Sequence, residues 1–412
     1  MNIEAAESLS RVEALLAPHL DDVLTLRRDL HAHPETGHHE TRTTGVLVEF
    51  LRRAGLQPQP LPGTGLTCDL GPALRGDGTP SRRVLLRADI DALPVQEDTD
   101  LPWRSRTDGV AHACGHDVHT AALAGAARVL ADLDAAGHLG GRVRLVFQPA
   151  EEVQPGGALE VIAAGRVEGV DAAYAMHCDP RTDVGSIGCR IGAITSAADL
   201  VSVELSGKGG HTSRPHLTGD VVFALSQVIT QLPAVLSRRI DPRAGLALVW
   251  GRVQAGAAYN AIPRTGLAQG TLRCLDLAAW QQVGAILEEV VHDLVRPYDV
   301  RASITHVRGV PPTVNHPDAV AVVEDAAHAE LGPGTVVLAE QSLGGEDFGW
   351  VLERVPGAMF RLGTRTPGGR TYDLHQGDFV PDERAVAVGA RMLVAVALRD
   401  LAPGRPARGA TP

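Results

Sequence analysis

Apolar residues follow helical spacing over 11–33, which predicts an amphipathic helix ending near His33-Pro34. They then condense into short strand-like runs, Arg83 to Asp89, Arg142 to Gln148 and Asp171 to His177. Between these lie an Ala- and Leu-rich helical stretch at 117–135 and a shorter one at 157–165. Strands alternating with helices predict an α/β sheet covered on both faces. Near residue 195 the pattern changes, because Asp199 to Leu205 alternates like a strand with one face exposed. A helix is predicted at 218–237, strands at 246–253 and 265–274, a helix at 276–295 and a strand at 300–308. This β-α-β-β-α-β order is that of a ferredoxin-like unit. After Gly309-Val310-Pro311-Pro312 the first pattern resumes, through a helix at 317–331, a strand at 357–363 and a last helix at 382–401. The expected organisation is therefore one discontinuous domain (1–194 and 309–402) interrupted by an insertion at 195–308. The Pro- and Gly-rich tail, 403–412, is expected to be disordered.

A length of 412 residues agrees with two domains. The net charge of −11 argues against a nucleic-acid partner. No apolar run reads as a membrane span, and the acidic N-terminus has no apolar signal core, so a cytoplasmic location is expected. Five cysteines without paired spacing suggest free thiols with ligand or catalytic roles. Lys208 is the sole lysine, and a solvated surface position is its simplest reading.

Candidate chemistry begins at His112-Ala113-Cys114-Gly115-His116-Asp117. In an extended segment Cys114 and His116 project to one side and can serve one metal centre, with Asp117 as a helix N-cap. Glu151 and Glu152 follow a strand end, where βα turns open into the crevice of an α/β sheet. A turn there can aim one carboxylate at a metal and the other at a neighbouring water, a division suited to hydrolysis. His177 closes a third strand and reads equally as a core histidine or a ligand. His375 follows a Gly-rich loop. Asp89 and Asp91 are turn residues or carboxylates that orient a ligand histidine. In the insertion, Gly207-Lys208-Gly209-Gly210-His211 lacks the spacing of a phosphate loop. His211 is a candidate donor to an oxyanion, and Asn260 and Arg273 are further polar candidates.

Taken in order, His112 to His119, Gln148 to Glu152, Met176-His177, Gly207 to His211, Tyr259 to Pro263, Glu346-Asp347-Phe348 and Leu374-His375 resemble the metal-dependent aminoacylase/carboxypeptidase family. The branch they are most similar to holds hippurate hydrolases, N-acyl-amino-acid amidohydrolases and indole-acetyl-amino-acid hydrolases. The resemblance runs from about Leu26 to the last helix. It implies an α/β, two-metal catalytic domain with an inserted ferredoxin-like lid that also mediates dimerisation. Cys114, His116, Glu152, His177 and His375 would be the metal ligands, with the Cys114 thiolate as bridge. Glu151 would be the general base and acid, and Asp89 a supporting carboxylate. His211 would be a lid histidine serving the partner subunit, and Asn260 and Arg273 substrate contacts. The cofactors implied are two divalent cations per subunit; thiolate with imidazole favours zinc, and manganese, cobalt or nickel also suit a mixed donor set. The implied substrate is an N-acyl amino acid or dipeptide, and the implied assembly a homodimer or higher homo-oligomer. Arg214, just after His211, would favour a carboxylate-bearing substrate if it faces the cleft. A dipeptidase or carboxypeptidase on the same site is the main alternative. A cysteine hydrolase using Cys114 and a non-catalytic metal-binding protein are the others.

Overall fold

The computed structural model describes residues 12–74 and 76–402; the tail at 403–412 lies outside them. In chain order the main elements are α1 (Leu20–Ala32), α2 (Thr41–Arg53), β1 (Leu66–Leu70), β2 (Arg83–Asp89), α3 (His116–Ala135), β3 (Arg142–Gln148) and β4 (Ala172–Asp183). Next come β5 (Ala197–Gly207), α4 (Val221–Arg239), β6 (Ala247–Ala255), β7 (Thr265–Cys274), α5 (Leu277–Val295) and β8 (Val300–Val310). The chain closes with α6 (Pro317–Leu331), β9 (Gly357–Arg365) and α7 (Arg384–Asp400).

The chain divides into two compact units. The first comprises Met1–Ile194, Val314–Glu340 and Trp350–Pro412; the second comprises Thr195–Thr313 and Gln341–Gly349. The second unit thus reaches past the expected boundary at 308. It also takes in a segment that the sequence pattern places in the first. The cause is hydrogen bonding: Ser196 N donates to Ser342 O and Ser196 Oγ to Leu343 O, while Thr313 Oγ1 donates to Glu346 O.

In the first unit an eight-stranded sheet has the order Gln59–Pro60, β1, β3, β2, β4, β9, Ile187–Cys189, Val336–Leu338. β2 pairs in parallel with both β3 and β4, and β9 pairs in parallel with β4. The chain leaves β2 for β3 on one side and then passes from β3 to β4 on the other side of β2, and at such a switch in order the carboxyl ends of an open α/β sheet form a crevice. β2 and β3 are buried on both faces from their second residue onward, which explains their near-continuous apolar character. α3 is buried along nearly its whole length; its alanines let α7 approach, and a Cβ at Gly125 would already touch the Ala390 side chain at 3.3 Å. α2 was not foreseen from the sequence, since its β-branched residues favour strands. It forms because Thr43, Leu47, Phe50 and Leu51 fall on one buried helical face.

In the second unit a four-stranded antiparallel sheet runs β6, β7, β5, β8. On β7, Gly266, Ala268, Gly270, Leu272 and Cys274 are buried, while the intervening residues are at least partly exposed. By length and composition α4 could cross a membrane, contrary to the expectation that no segment would. Its side chains are uncharged until Arg238 and Arg239, yet Val221, Ala224, Leu225, Val228, Leu232 and Leu236 form an amphipathic stripe buried within this unit.

Candidate metal centre

The first unit carries its chemistry at the carboxyl ends of β2 and β3 and beside them on β4, where His177 does not close the strand but lies mid-strand, since β4 runs on to Asp183. Gly115 adopts a left-handed conformation (φ 85°) and caps α3, which starts at His116. Asp117 is therefore a first-turn residue and not the N-cap, and Cys114 and His116 are not an extended pair. The turn at Gly115 swings His116 onto the helix while Cys114 stays in the loop. A side chain at 115 is excluded, because its Cβ would lie 2.8 Å from Cys178 Sγ.

Hydrogen bonds fix the orientation of each imidazole. His116 Nδ1 lies 3.0 Å from Asp91 O and 3.2 Å from Asp91 Oδ1, so its N–H points at Asp91 and Nε2 faces inward. The other Asp91 oxygen accepts from Glu152 N at 3.0 Å, so one carboxylate holds both residues. His177 Nδ1 lies 2.9 Å from Cys178 O, which leaves Nε2 facing Cys114 Sγ at 3.4 Å. His375 takes a positive φ of 62° and its N–H donates to Ala113 O at 2.8 Å, bringing Nε2 to 3.3 Å from Glu152 Oε1. That backbone state costs about 1–2 kcal/mol outside glycine and marks a position held for its side chain.

Ligand atoms of Cys114, His116 and His177 lie within 4.8 Å of one another, as do those of Cys114, Glu152 and His375 and those of His116, Glu151 and Glu152. Cys114, His116 and Glu152 each belong to two of these groups. Buried His116 Nε2 has no hydrogen-bond partner, whereas Glu152 Oε1 faces His375 Nε2. A buried imidazole nitrogen aimed at a shared space among sulfur, imidazole and carboxylate donors fits a cation site. Burial pushes the Cys114 thiol far above its ordinary range. Burial, reinforced by the nearby Arg361 charge, pushes His177 well below its own. His375 is raised, chiefly by its bond to Glu152.

A further set, Asp89, His116 and His119, also clusters within 4.8 Å. His119 is already engaged on both sides: Nδ1 meets Asp89 Oδ1 at 2.5 Å, and Nε2 accepts from Cys178 N at 2.8 Å. It therefore ties β2 to β4 and leaves no nitrogen for a cation. Sequence reasoning quoted His119 without giving it a role; its spacing of three from His116 on one helix is the signal that was there. Asp89 also meets Arg87 Nη1 at 2.6 Å. Burial alone would raise the Asp89 carboxyl, but His116, His119 and Arg87 hold it well below the usual range.

In the second unit His211 lies in the short strand Gly210–His211, paired with Ala261–Ile262. Its Nδ1 accepts from Ser213 N at 3.1 Å, which leaves Nε2 to carry the proton of the neutral ring. Thr212 N donates to Asn260 O at 3.2 Å, so His211 and Asn260 belong to one exposed corner. Arg273 does not join them. It sits eight residues along β7 from Thr265, about 27 Å at the rise of a strand. Lys208 and Arg214 are exposed. The glycines beside Lys208 serve packing, since a Cβ at Gly209 would lie 2.6 Å from Ile262 O.

Residues 85–399, more than half of the chain, match Peptidase family M20/M25/M40, and the chain belongs to that family. It is 49% identical over 371 residues to the putative glutamate–cysteine ligase 2-3 of Rhodococcus jostii (strain RHA1). That alignment covers 90% of this chain but 46% of the relative, so this chain spans about half that protein's length. The N-acetyl-L-cysteine deacetylase of Bacillus subtilis (strain 168) is 36% identical over 379 residues, covering 92% of this chain and 88% of that one. The crystal structure of the Bacillus subtilis YXEP protein, described as a dinuclear metal binding peptidase from M20 family, matches with a TM-score of 0.80 at 32% identity. The match covers 92% of this chain and 98% of that one. The chain is a hydrolase of this family, with side-chain clusters that could hold metal ions.

Proposed function

We propose that the enzyme cleaves the amide bond of N-acyl-L-amino acids (N-acetyl, N-benzoyl or a similar acyl group), giving a carboxylate and a free amino acid. The observation that carries this reading is the convergence of Cys114, His116, Glu152, His177 and His375 on a shared space beside Glu151, with buried His116 Nε2 lacking a hydrogen-bond partner. Those five side chains would hold two divalent cations, with Cys114 as a ligand shared between them if the family resemblance carries over. Such a pair supplies Lewis-acid polarisation of the scissile carbonyl and a water of lowered pKa, and the donor set favours zinc, with manganese, cobalt or nickel as other occupants.

Glu151, 4.0 Å from His116 Nε2, takes the proton of the attacking water and returns it to the departing amine. Asp91 keeps the His116 imidazole in the tautomer that presents Nε2, and Asp89 supports the same ring from the other side at 3.7 Å. The second unit is read as a ferredoxin-like lid and dimerisation domain. His211 Nε2–H would donate to the tetrahedral oxyanion in a partner subunit, with Asn260 beside it as a substrate contact. Arg273, far along its strand from that corner, is the weakest of the substrate contacts.

The test is amine release from N-acetyl-, N-benzoyl- and indole-acetyl-amino acids and simple dipeptides, with zinc, manganese or cobalt supplied, beside a chelated control. Chelator-sensitive release from acylated amino acids is expected. Preferential cleavage of dipeptides would move the assignment to a dipeptidase or carboxypeptidase, and chelator-insensitive release would return it to Cys114.

A further inference from the structure

The turn that carries Glu151 and Glu152 is held in an unusual backbone state. Ala150, fully buried, has a φ of 52°, in the left-handed region that side-chain-bearing residues avoid. Its N–H donates to Glu40 Oε1 at 2.7 Å, across 110 residues of sequence. The other oxygen of Glu40 accepts from Thr64 Oγ1 at 2.6 Å. Glu40 is itself fully buried, and both of its carboxylate oxygens are engaged by these bonds. The segment that carries it presses directly on the turn, since a Cβ at Gly37 would stand 3.1 Å from Ala150 Cα and 2.6 Å from Val153 Cγ2. Two more bonds complete the restraint, Gly157 N to Ala150 O at 3.0 Å and Glu152 N to Asp91 Oδ2 at 3.0 Å. Of these, only the bond to Glu40 acts on the N–H side of the left-handed residue.

We propose that Glu40 is a positioning residue for the reaction: its carboxylate, anchored by Thr64, holds Ala150 in the left-handed turn that aims Glu151. The proposal rests on the reading of Glu151 as the general base. Burial pushes the Glu40 carboxyl upward, as expected of a group placed for its hydrogen bonds and not for exposure of its charge. A neutral amide fits the same place. The oxygen of a glutamine at 40 can accept from Ala150, and its NH2 can donate to the Thr64 hydroxyl.

The experiment compares full-length, zinc-loaded wild type with Glu40→Ala, Glu40→Gln, Thr64→Val and Glu151→Gln, using N-acetyl-L-cysteine and hippurate as probes. Two readouts are taken: kcat and KM across pH, and hydrogen–deuterium exchange of the peptide spanning 147–153. Glu40→Ala is expected to lower kcat by about 10- to 100-fold with KM little changed. It should also displace the acid limb of the kcat profile and speed exchange of that peptide. Metal content should hold, because Asp91 still ties Glu152. Glu40→Gln should recover most of the activity, and Thr64→Val should cost about 5-fold, the equivalent of one ordinary hydrogen bond. A folded Glu40→Ala with wild-type kcat, pH profile and exchange overturns the proposal. So does a Glu40→Gln as impaired as the alanine variant. Should Glu40→Ala not fold, Thr64→Val with unaltered kcat and exchange overturns it instead. Should neither probe turn over, the exchange of the same peptide decides. Turnover surviving in Glu151→Gln would sink the assignment of the base, whereas a dead Glu151→Gln beside a normal Glu40→Ala would sink this proposal alone.

Discussion

Glu330, in the last turn of α6, is a buried carboxylate remote in role from the metal centre, and it makes stability depend on pH. It is 3% exposed. Its ionic partner is Arg391 of α7, whose Nε stands 3.4 Å from Oε2, while Nη2 donates to the Glu330 carbonyl at 2.6 Å. Burial raises the Glu330 carboxyl from 4.5 to about 7, and Arg391 only partly offsets this. Between those two values the folded chain holds a proton that the unfolded chain has released. Stability from this group is therefore present at low pH and declines as pH rises through 7. The shift corresponds to about 3 kcal/mol, or about 2 kcal/mol once the partly solvated Arg391 end of the pair is discounted. Glu330→Gln keeps the shape and an acceptor for Arg391 but cannot ionise. Urea unfolding of both chains from pH 5 to 8.5 isolates the effect, because metal-linked contributions are common to both. The two should match near pH 5, and the variant should be more stable by about 2 kcal/mol at pH 8.5. Parallel stability curves, or a variant that weakens as pH rises, would refute the reasoning.

Three further outcomes are expected. Cys114→Ser should lower metal content in elemental analysis after gel filtration, since a hydroxyl is a poorer ligand than a thiolate; undiminished stoichiometry would remove Cys114 from the ligand set. Asp117→Ala should cost about 2–4 kcal/mol in chemical denaturation, because Arg27 and His31, both buried and 2.8 and 2.9 Å from its carboxylate, would keep only Glu383 at 3.7 Å and Glu97 at 3.2 Å as counter-charges. Gly157→Ala should displace the turn before the short helix at 158–163, as its Cβ would lie 2.0 Å from Pro149 O; turnover should fall more than the melting temperature, and unchanged kinetics would contradict the placement.

The strands that build the centre were readable because β2 and β3 are buried on both faces and leave long apolar runs. The second unit was readable for the opposite reason: β5 alternates, and alternation requires one open face. β1 escaped notice because five residues with a polar Asp69 leave too short a pattern, and it is defined by pairing with β3. The ligand candidates could be picked out by residue type and order, but not their local geometry. Nothing in Cys-Gly-His reveals that the glycine is left-handed and the histidine helical. The anchoring of Glu151 was equally hidden, since the bond between Glu40 and Ala150 joins residues 110 apart. The placement of Arg273 away from His211 depends on how far along β7 it falls, which composition does not encode.

The central claim is that Glu151 moves the proton beside a two-cation centre that it does not itself hold together. Glu151→Gln separates those roles in one protein, by metal stoichiometry and single-turnover amine release measured side by side. The account predicts two cations per chain, as in wild type, with turnover reduced by about 100-fold or more. Near-normal release with the metal in place would contradict it.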